Sequence, residues 1–189
     1  MTTRHPTEER RQQIADAALK VIAERGLGRF TTQAIAAEVG ITDGSLFRHF
    51  ANKEEIVLAA LDRVEELLFE GFPPADPDPL QRLQRFFRQR AALVAARPVI
   101  ASLAFSDQLR LAAGDRGAQQ VESWKQRSLE FIVGCIEEAE AAGKLPRGLP
   151  ARELALIVFG TLMALARLGE FASSAADRAW SVIERLIRE

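Results

Sequence analysis

The sequence predicts an all-α chain, and three observations carry that expectation. Apolar residues recur at 3- and 4-residue intervals through most of the 189 residues. No segment alternates apolar with polar side chains long enough to read as a strand. Stretches bearing glycine or proline separate the periodic segments, where helices are expected to stop and restart. Nine helices result, three short ones in front and six mostly longer ones behind.

From Glu8 to Arg25 the positions Ile14, Ala17, Ala18, Val21 and Ile22 keep helical spacing, and Gly26 stops the helix. Thr31 or Thr32 offers a cap oxygen for a short second helix, Gln33 to Val39, closed by Gly40. Thr42 caps a third, from Asp43 to about Phe50. Asn52 with Glu55 three residues on is an asparagine version of the capping box, and opens a fourth helix to about Phe72. Four of the eight prolines fall between Phe72 and Leu80, so no helix continues there. Asp78 before Pro79 restarts one in the favoured cap-then-proline order, running to about Ala96. Pro98 opens the next, to about Ala112. Gly114 and Gly117 are expected to break it before a long helix, Ala118 to Ala142. The segment from Lys144 to Pro150 reads as a loop. Two helices follow, Ala151 to Glu170 and Ala175 to Arg188, with Ser174 and Asp177 as a capping box for the last.

Composition narrows the function classes. One cysteine, Cys135, excludes an intrachain disulfide and a multi-cysteine metal site. The two histidines, His5 and His49, lie in the first fifty residues. The remainder, with Ser102, Ser106 and many carboxylates, has no base to serve a nucleophile and no motif around one. No enzyme, metal or cofactor is expected. The longest uncharged stretch, Leu154 to Ala166, is shorter than the ~20 residues that cross a bilayer. The first eleven residues are polar and charged, without a signal-peptide pattern. A cytoplasmic protein, free of membrane association, is the expectation. Net charge is −1, but residues 1–53 hold eight Lys/Arg against six Asp/Glu and the rest seventeen against twenty. A mildly basic head on an acidic body suits a phosphate-facing N-terminal surface.

Two short helices around Gly40-Ile41-Thr42 make a helix-turn-helix, whose second helix enters the DNA major groove in such units. Leu46 and Phe50 share one face and can close a small core with Ile35, Val39 and Ile41. That leaves Thr42, Asp43, Ser45, Arg48 and His49 outward. Gly44, lacking a side chain, lets the backbone approach DNA. Lys53 brings a cation and free amides at the next helix start. Arg10 and Arg11 either reach the DNA backbone from the first helix or form a solvated pair.

The run from Phe30 to Glu54, FTTQAIAAEVGITDGSLFRHFANKE, resembles the DNA-binding signature of TetR-type transcriptional regulators. The likeness spans about Thr7 to Leu61; beyond that only the layout of helices agrees. It implies a helix-turn-helix DNA-binding domain over residues 1–52 and a ligand-binding and dimerisation domain over residues 53–189. It also implies phosphate contacts from Thr32, Phe47, His49 and Lys53, and base-edge contacts from Gln33, Thr42, Asp43, Ser45 and Arg48. Phe47 stands where the family usually has tyrosine, and it lacks the hydroxyl that binds phosphate. Asp43 can accept from a cytosine amine, or settle the positive end of its own helix.

The same resemblance implies a small-molecule pocket in the body, for which Phe69, Phe86, Phe87, Phe105, Trp124, Phe131, Cys135, Phe159 and Met163 are suitable linings. Arg97, Ser106, Asp107, Arg110, Gln120 and Glu130 are polar candidates. A mainly apolar or amphipathic effector follows; control by a protein partner instead stays open. The last two helices carry apolar stripes, Leu154, Ile157, Val158, Thr161, Leu162 and Leu165 on one, Trp180, Ile183, Leu186 and Ile187 on the other. Two such pairs about a two-fold axis would form a four-helix dimer seam. The function expected is that of a homodimeric, effector-released repressor on a palindromic operator.

Overall fold

The computed structural model describes residues 6–148, 150–168 and 173–188. Among these residues the helices are α1 (Pro6–Arg25), α2 (Thr32–Val39), α3 (Asp43–Leu46), α4 (Lys53–Phe69), α5 (Pro79–Ala96), α6 (Val99–Ala104), α7 (Leu109–Ala141), α8 (Ala151–Leu168) and α9 (Ser173–Arg188). A single 3-10 turn, Leu27–Arg29, lies between α1 and α2, and no strand occurs among the described residues. The chain divides into two units, one holding the chain up to Leu67 with Ser102–Glu122, the other Leu68–Ala101 with Ser123–Glu189.

In the first unit α1 packs on α2, and α2 on α3. Ile14, Ile22, Ile35, Leu46 and Phe50 are buried at the centre, as helical spacing requires; Val39 and Ile41 are only half-buried. Each large apolar side chain so buried contributes roughly 1.5–3 kcal/mol relative to exposure. Thr31, not Thr32, caps α2, its hydroxyl accepting from the Ala34 N–H at 3.2 Å. Gly40 ends α2 in the left-handed conformation (φ 74°), which glycine adopts without penalty. Asn52 caps α4 as expected, accepting from the Glu55 N–H at 2.9 Å.

Several expected boundaries differ, among them the end of α4, which falls at Phe69 and not at Phe72. α3 is regular only to Leu46: the Arg48 and His49 amides reach back three residues, to Ser45 and Leu46, and tighten the last turn. The helix expected from Pro98 to Ala112 is instead α6, ending at Ala104, followed by an early start of α7 at Leu109. α7 then runs through both glycines. Gly114 kinks it with φ 59° and ψ −166°, while Gly117 stays helical in a tight place, where a methyl group would lie 3.1 Å from the Leu61 side chain. Finally, Ser174 lies inside α9 and not at its cap. The expected helix end at Gly169 and Glu170 falls outside the described residues.

In the second unit α5 packs against α8 and α9, which pack on each other. Leu83, Phe87, Ile132, Ile136, Val158, Trp180 and Ile183 form its core. Asp78 caps α5 as expected, accepting from the Leu80 and Gln81 amides.

Candidate nucleic-acid interface

The start of α3 is built by its own polar residues. Thr42 Oγ accepts from the Ser45 N–H at 3.2 Å, and the two hydroxyls lie 3.0 Å apart. One of those hydroxyls therefore keeps a lone pair or hydrogen for an outside partner. Asp43 stands at the first position of α3, with Oδ1 enclosed and taking no hydrogen bond from the described residues. A methyl group on Gly44 would meet nothing within 4 Å, so the backbone is open on that side.

Around this start, Gln33, Thr42, Gly44, Phe47, Arg48 and Lys53 are exposed, and Thr32, Asp43, Ser45 and His49 half-buried. All ten expected DNA contacts thus belong to one small unit whose apolar side, Leu46 and Phe50, is turned into the core. Phe47 is 45% exposed, a large ring presented to solvent on a polar surface. The Lys53 ammonium sits 5.0 Å from the Phe30 ring centre, beside the chain entering α2. Ammonium and free amides at that helix start together suit a phosphate.

Arg11 has a role that was not foreseen. Its guanidinium donates to the His49 carbonyl and lies 4.1 Å over the Phe50 ring. It fastens the turn after α3 to α1, so the solvated pair does not describe it. Lys20 and Glu38, paired at 2.6 Å, tie α1 to α2; the pairing raises the lysine above its ordinary value. Each glutamate beginning α4 meets the early part of α7: the Glu54 carboxylate would lie 2.8 Å from a methyl group on Gly114, and Glu55 pairs with Arg116 at 3.7 Å.

Residues 14–60 match the family model of the bacterial regulatory proteins, tetR family. That segment carries the DNA-binding domain of the tetR family. The fatty acid metabolism regulator protein of Bacillus subtilis is 27% identical over 79% of this chain and 78% of its own length. The transcriptional repressor KstR2 of Mycobacterium tuberculosis is 40% identical, over 41% of this chain and 40% of that protein. Across nearly the whole chain the fold is that of the regulator FadR from Bacillus subtilis, solved in complex with stearoyl-CoA (TM-score 0.72, 22% identity, covering 93% of this chain and 96% of that one). A TetR-family chain is a DNA-binding transcriptional regulator, not an enzyme, and the helix-turn-helix is its DNA-facing element.

The body of this TetR-family regulator treats the expected pocket residues unequally. Phe86, Phe87, Trp124 and Cys135 are at most 4% exposed, with the Phe87 ring 5.5 Å from that of Trp180 and tilted by 50°. Burial pushes the Cys135 thiol up to about 11, so it stays protonated. Phe131, Phe159 and Met163 are half-buried against this core, while Phe105 belongs to the first unit and is not part of it. Phe69, Phe72, Phe86 and Phe131 form a cluster with ring centres 5.0–6.0 Å apart. Of the polar candidates, Gln120 donates to Asp62 and Glu65, and Arg110 pairs with Asp115.

Sequence reading missed Arg90, which lies 5.2 Å over both Phe69 and Phe86 and is only 9% exposed. The signal was available, since Leu83, Phe87, Arg90 and Val94 keep helical spacing on the buried side of α5. Arg127 covers the Phe69 ring from 3.6 Å. Burial and this second cation bring Arg90 down to about 10, still charged at neutral pH.

The seam residues also need correction. Val158, Trp180, Ile183 and Ile187 lie at 1–4% exposure in the unit's own core, where they cannot face a partner. Leu154, Thr161 and Leu165 are half-buried. Ile157 and Leu186 remain exposed, joined by Leu156 and Val182, each more than half exposed. Helical phase explains the split: α8 and α9 each bury one side, and Leu156, Ile157, Val182 and Leu186 stand among polar residues on the other.

Proposed function

We propose that this regulator is a repressor that binds a palindromic operator as a homodimer and is released by a small apolar or amphipathic effector. The observation that carries the reading is the pairing of an exposed, polar α3 start with a TetR-family helix-turn-helix. Residues 1–52 serve DNA binding, with Thr32, Phe47, His49 and Lys53 on phosphates and Gln33, Thr42, Asp43, Ser45 and Arg48 at base edges. Residues 53–189 serve effector binding and dimerisation.

Two similarities support the effector. The relative at 27% identity is named a fatty acid metabolism regulator, and a fold neighbour was solved with stearoyl-CoA. In this chain the half-buried Phe69, Phe72 and Phe131 offer apolar surface of that kind. α4 begins at Lys53 beside the reading turn and ends at Phe69 in the ring cluster. An effector that binds better when the Phe69 end is displaced would shift the regulator toward a state in which Lys53 and α3 no longer fit DNA. The DNA it reads is that of the cytoplasm.

The test is a random-sequence DNA selection with the full chain at near-physiological salt. An enriched palindrome is the expected outcome and supplies the operator for effector screening by release. Binding that vanishes with salt and enriches no sequence would overturn the reading and favour control through a protein partner.

A further inference from the structure

We propose that the start of α7 is a working part of the DNA-reading unit, with Gln108, Gly114 and Arg116 as positioning residues for Lys53. This rests on the reading of Lys53 as a phosphate contact, and it moves Ser102–Glu122 from the tasks of the body to those of the head. Three contacts, all inside the first unit, carry it. The Gln108 side-chain oxygen rests on Gly28, where a methyl group would lie only 2.6 Å from it. The Glu54 carboxylate rests on Gly114 in the same way, at 2.8 Å. Arg116 pairs with Glu55 at 3.7 Å. Gly28 stands two residues before Phe30, and Glu54 and Glu55 directly follow Lys53. The Lys53 ammonium itself lies 5.0 Å from the Phe30 ring centre. The start of α7 therefore touches the chain on both sides of the Lys53–Phe30 contact.

These contacts suit aim more than strength. Gln108, Glu54 and Arg116 are exposed, and exposed polar pairs contribute little stability. The holding is done further along α7, where Gly117 packs closely on Leu61 and Leu58, and Gln120 donates to Asp62 at 2.8 Å and to Glu65 at 3.1 Å. What remains for the first contacts is the rotation of α4's first turn. Successive residues of a helix point about 100° apart, so fixing Glu54 and Glu55 against α7 fixes where Lys53 points. Gly114 makes the fit possible. With φ 59° and ψ −166° it takes a conformation that almost only glycine adopts, and its missing side chain leaves the place that the Glu54 carboxylate fills. Two carboxylates beside a phosphate contact ordinarily oppose it; seated on α7, they orient it.

The experiment measures DNA binding by the full chain over a range of salt, on the operator that the selection supplies. A phosphate contact is independent of sequence, so a random duplex gives the same comparison should no operator emerge. Gln108→Ala combined with Glu54→Ala removes two contacts made by exposed side chains, and the melting temperature should move little. Affinity should fall by about fivefold or more, although loss of an acid alone favours binding to a polyanion. The slope of log affinity against log salt should become shallower by about 0.9, the share of one phosphate. In a Lys53→Ala background the same pair should change affinity by less than about twofold, because the contact it aims is gone. Arg116→Ala should behave alike, with Arg116→Lys keeping wild-type affinity, and these two decide if the paired variant melts early. Unchanged affinity, or a loss that simply adds to that of Lys53→Ala, overturns the proposal. If Lys53→Ala itself leaves affinity and salt slope unchanged, the phosphate reading of Lys53 fails and the proposal with it. A loss in Lys53→Ala with none from the α7 contacts overturns the proposal alone and leaves that reading standing.

Discussion

Arg11 shows what a single residue contributes to the DNA-facing unit. Its charged hydrogen bond to the His49 carbonyl spans 38 positions of sequence, and its stack on Phe50 covers the core beneath the reading turn. A hydrogen bond from a charged group is worth about 1.5–3 kcal/mol. Arg11→Ala should therefore lower stability by about 2 kcal/mol in urea denaturation, and weaken operator binding although the side chain is not assigned a DNA contact. Gly44 is the opposite case. Nothing lies within 4 Å of an added methyl group, and alanine favours a helix over glycine by about 1 kcal/mol. Gly44→Ala should leave the melting temperature equal or higher yet reduce operator affinity, because the methyl group stands where the DNA approaches. An unchanged affinity would show that DNA does not come that close. The sequence pointed to Gly44 through its place in the motif, but not to the packing role of Arg11 or to Arg90. A backbone carbonyl or a ring face as partner leaves no complementary residue to find, and only the helical register of Arg90 hinted at burial.

At the scale of elements, caps were easier to read than glycines. Asn52 and Asp78 act through neighbours two or three residues away, so local sequence contains the whole interaction. Gly114 and Gly117 were read as one break because glycine punctuates helices, yet only Gly114 leaves helical geometry. Gly117 is there for its size: a methyl group would meet Ala113 and, at 3.1 Å, the Leu61 side chain of α4. Gly117→Ala should cost about 1–3 kcal/mol by overpacking, measured by denaturant unfolding, despite its better helix propensity. Asp78 allows a pH test. Lys144, bonded at 2.6 Å, and the Leu80 and Gln81 amides hold its carboxyl below the usual value of 3.8. A carboxyl lowered on folding stabilises above its unfolded value, and that contribution is lost as pH falls through the lowered one. The melting-temperature penalty of Asp78→Ala should accordingly be larger at pH 7 than near pH 2.5; equal penalties would show that the cap acts without its charge.

For the whole molecule, the question is what covers the outer sides of α8 and α9. Leu156, Ile157, Val182 and Leu186 are 51–59% exposed, whereas their helix neighbours Val158, Trp180, Ile183 and Ile187 are buried. Sequence periodicity located both stripes but merged the two sides of each helix, since a stripe wide enough for a core and a partner has no internal boundary. Four bare aliphatic side chains on adjoining helices suit a two-fold interface, in which each patch meets its own copy. Replacing Ile157 and Leu186 together with glutamate separates that role from folding. Both side chains are already in water, so the melting temperature of the isolated chain should move little. Sedimentation should change from dimer to monomer, because like charges would then face each other across the axis. Operator affinity should fall by at least tenfold, since a monomer engages one half-site and loses the second as a linked event. Trp180→Ala, by contrast, should unfold the second unit at lower temperature by hollowing its core. If the double glutamate variant stays dimeric and binds operator normally, the two-fold contact lies on another surface.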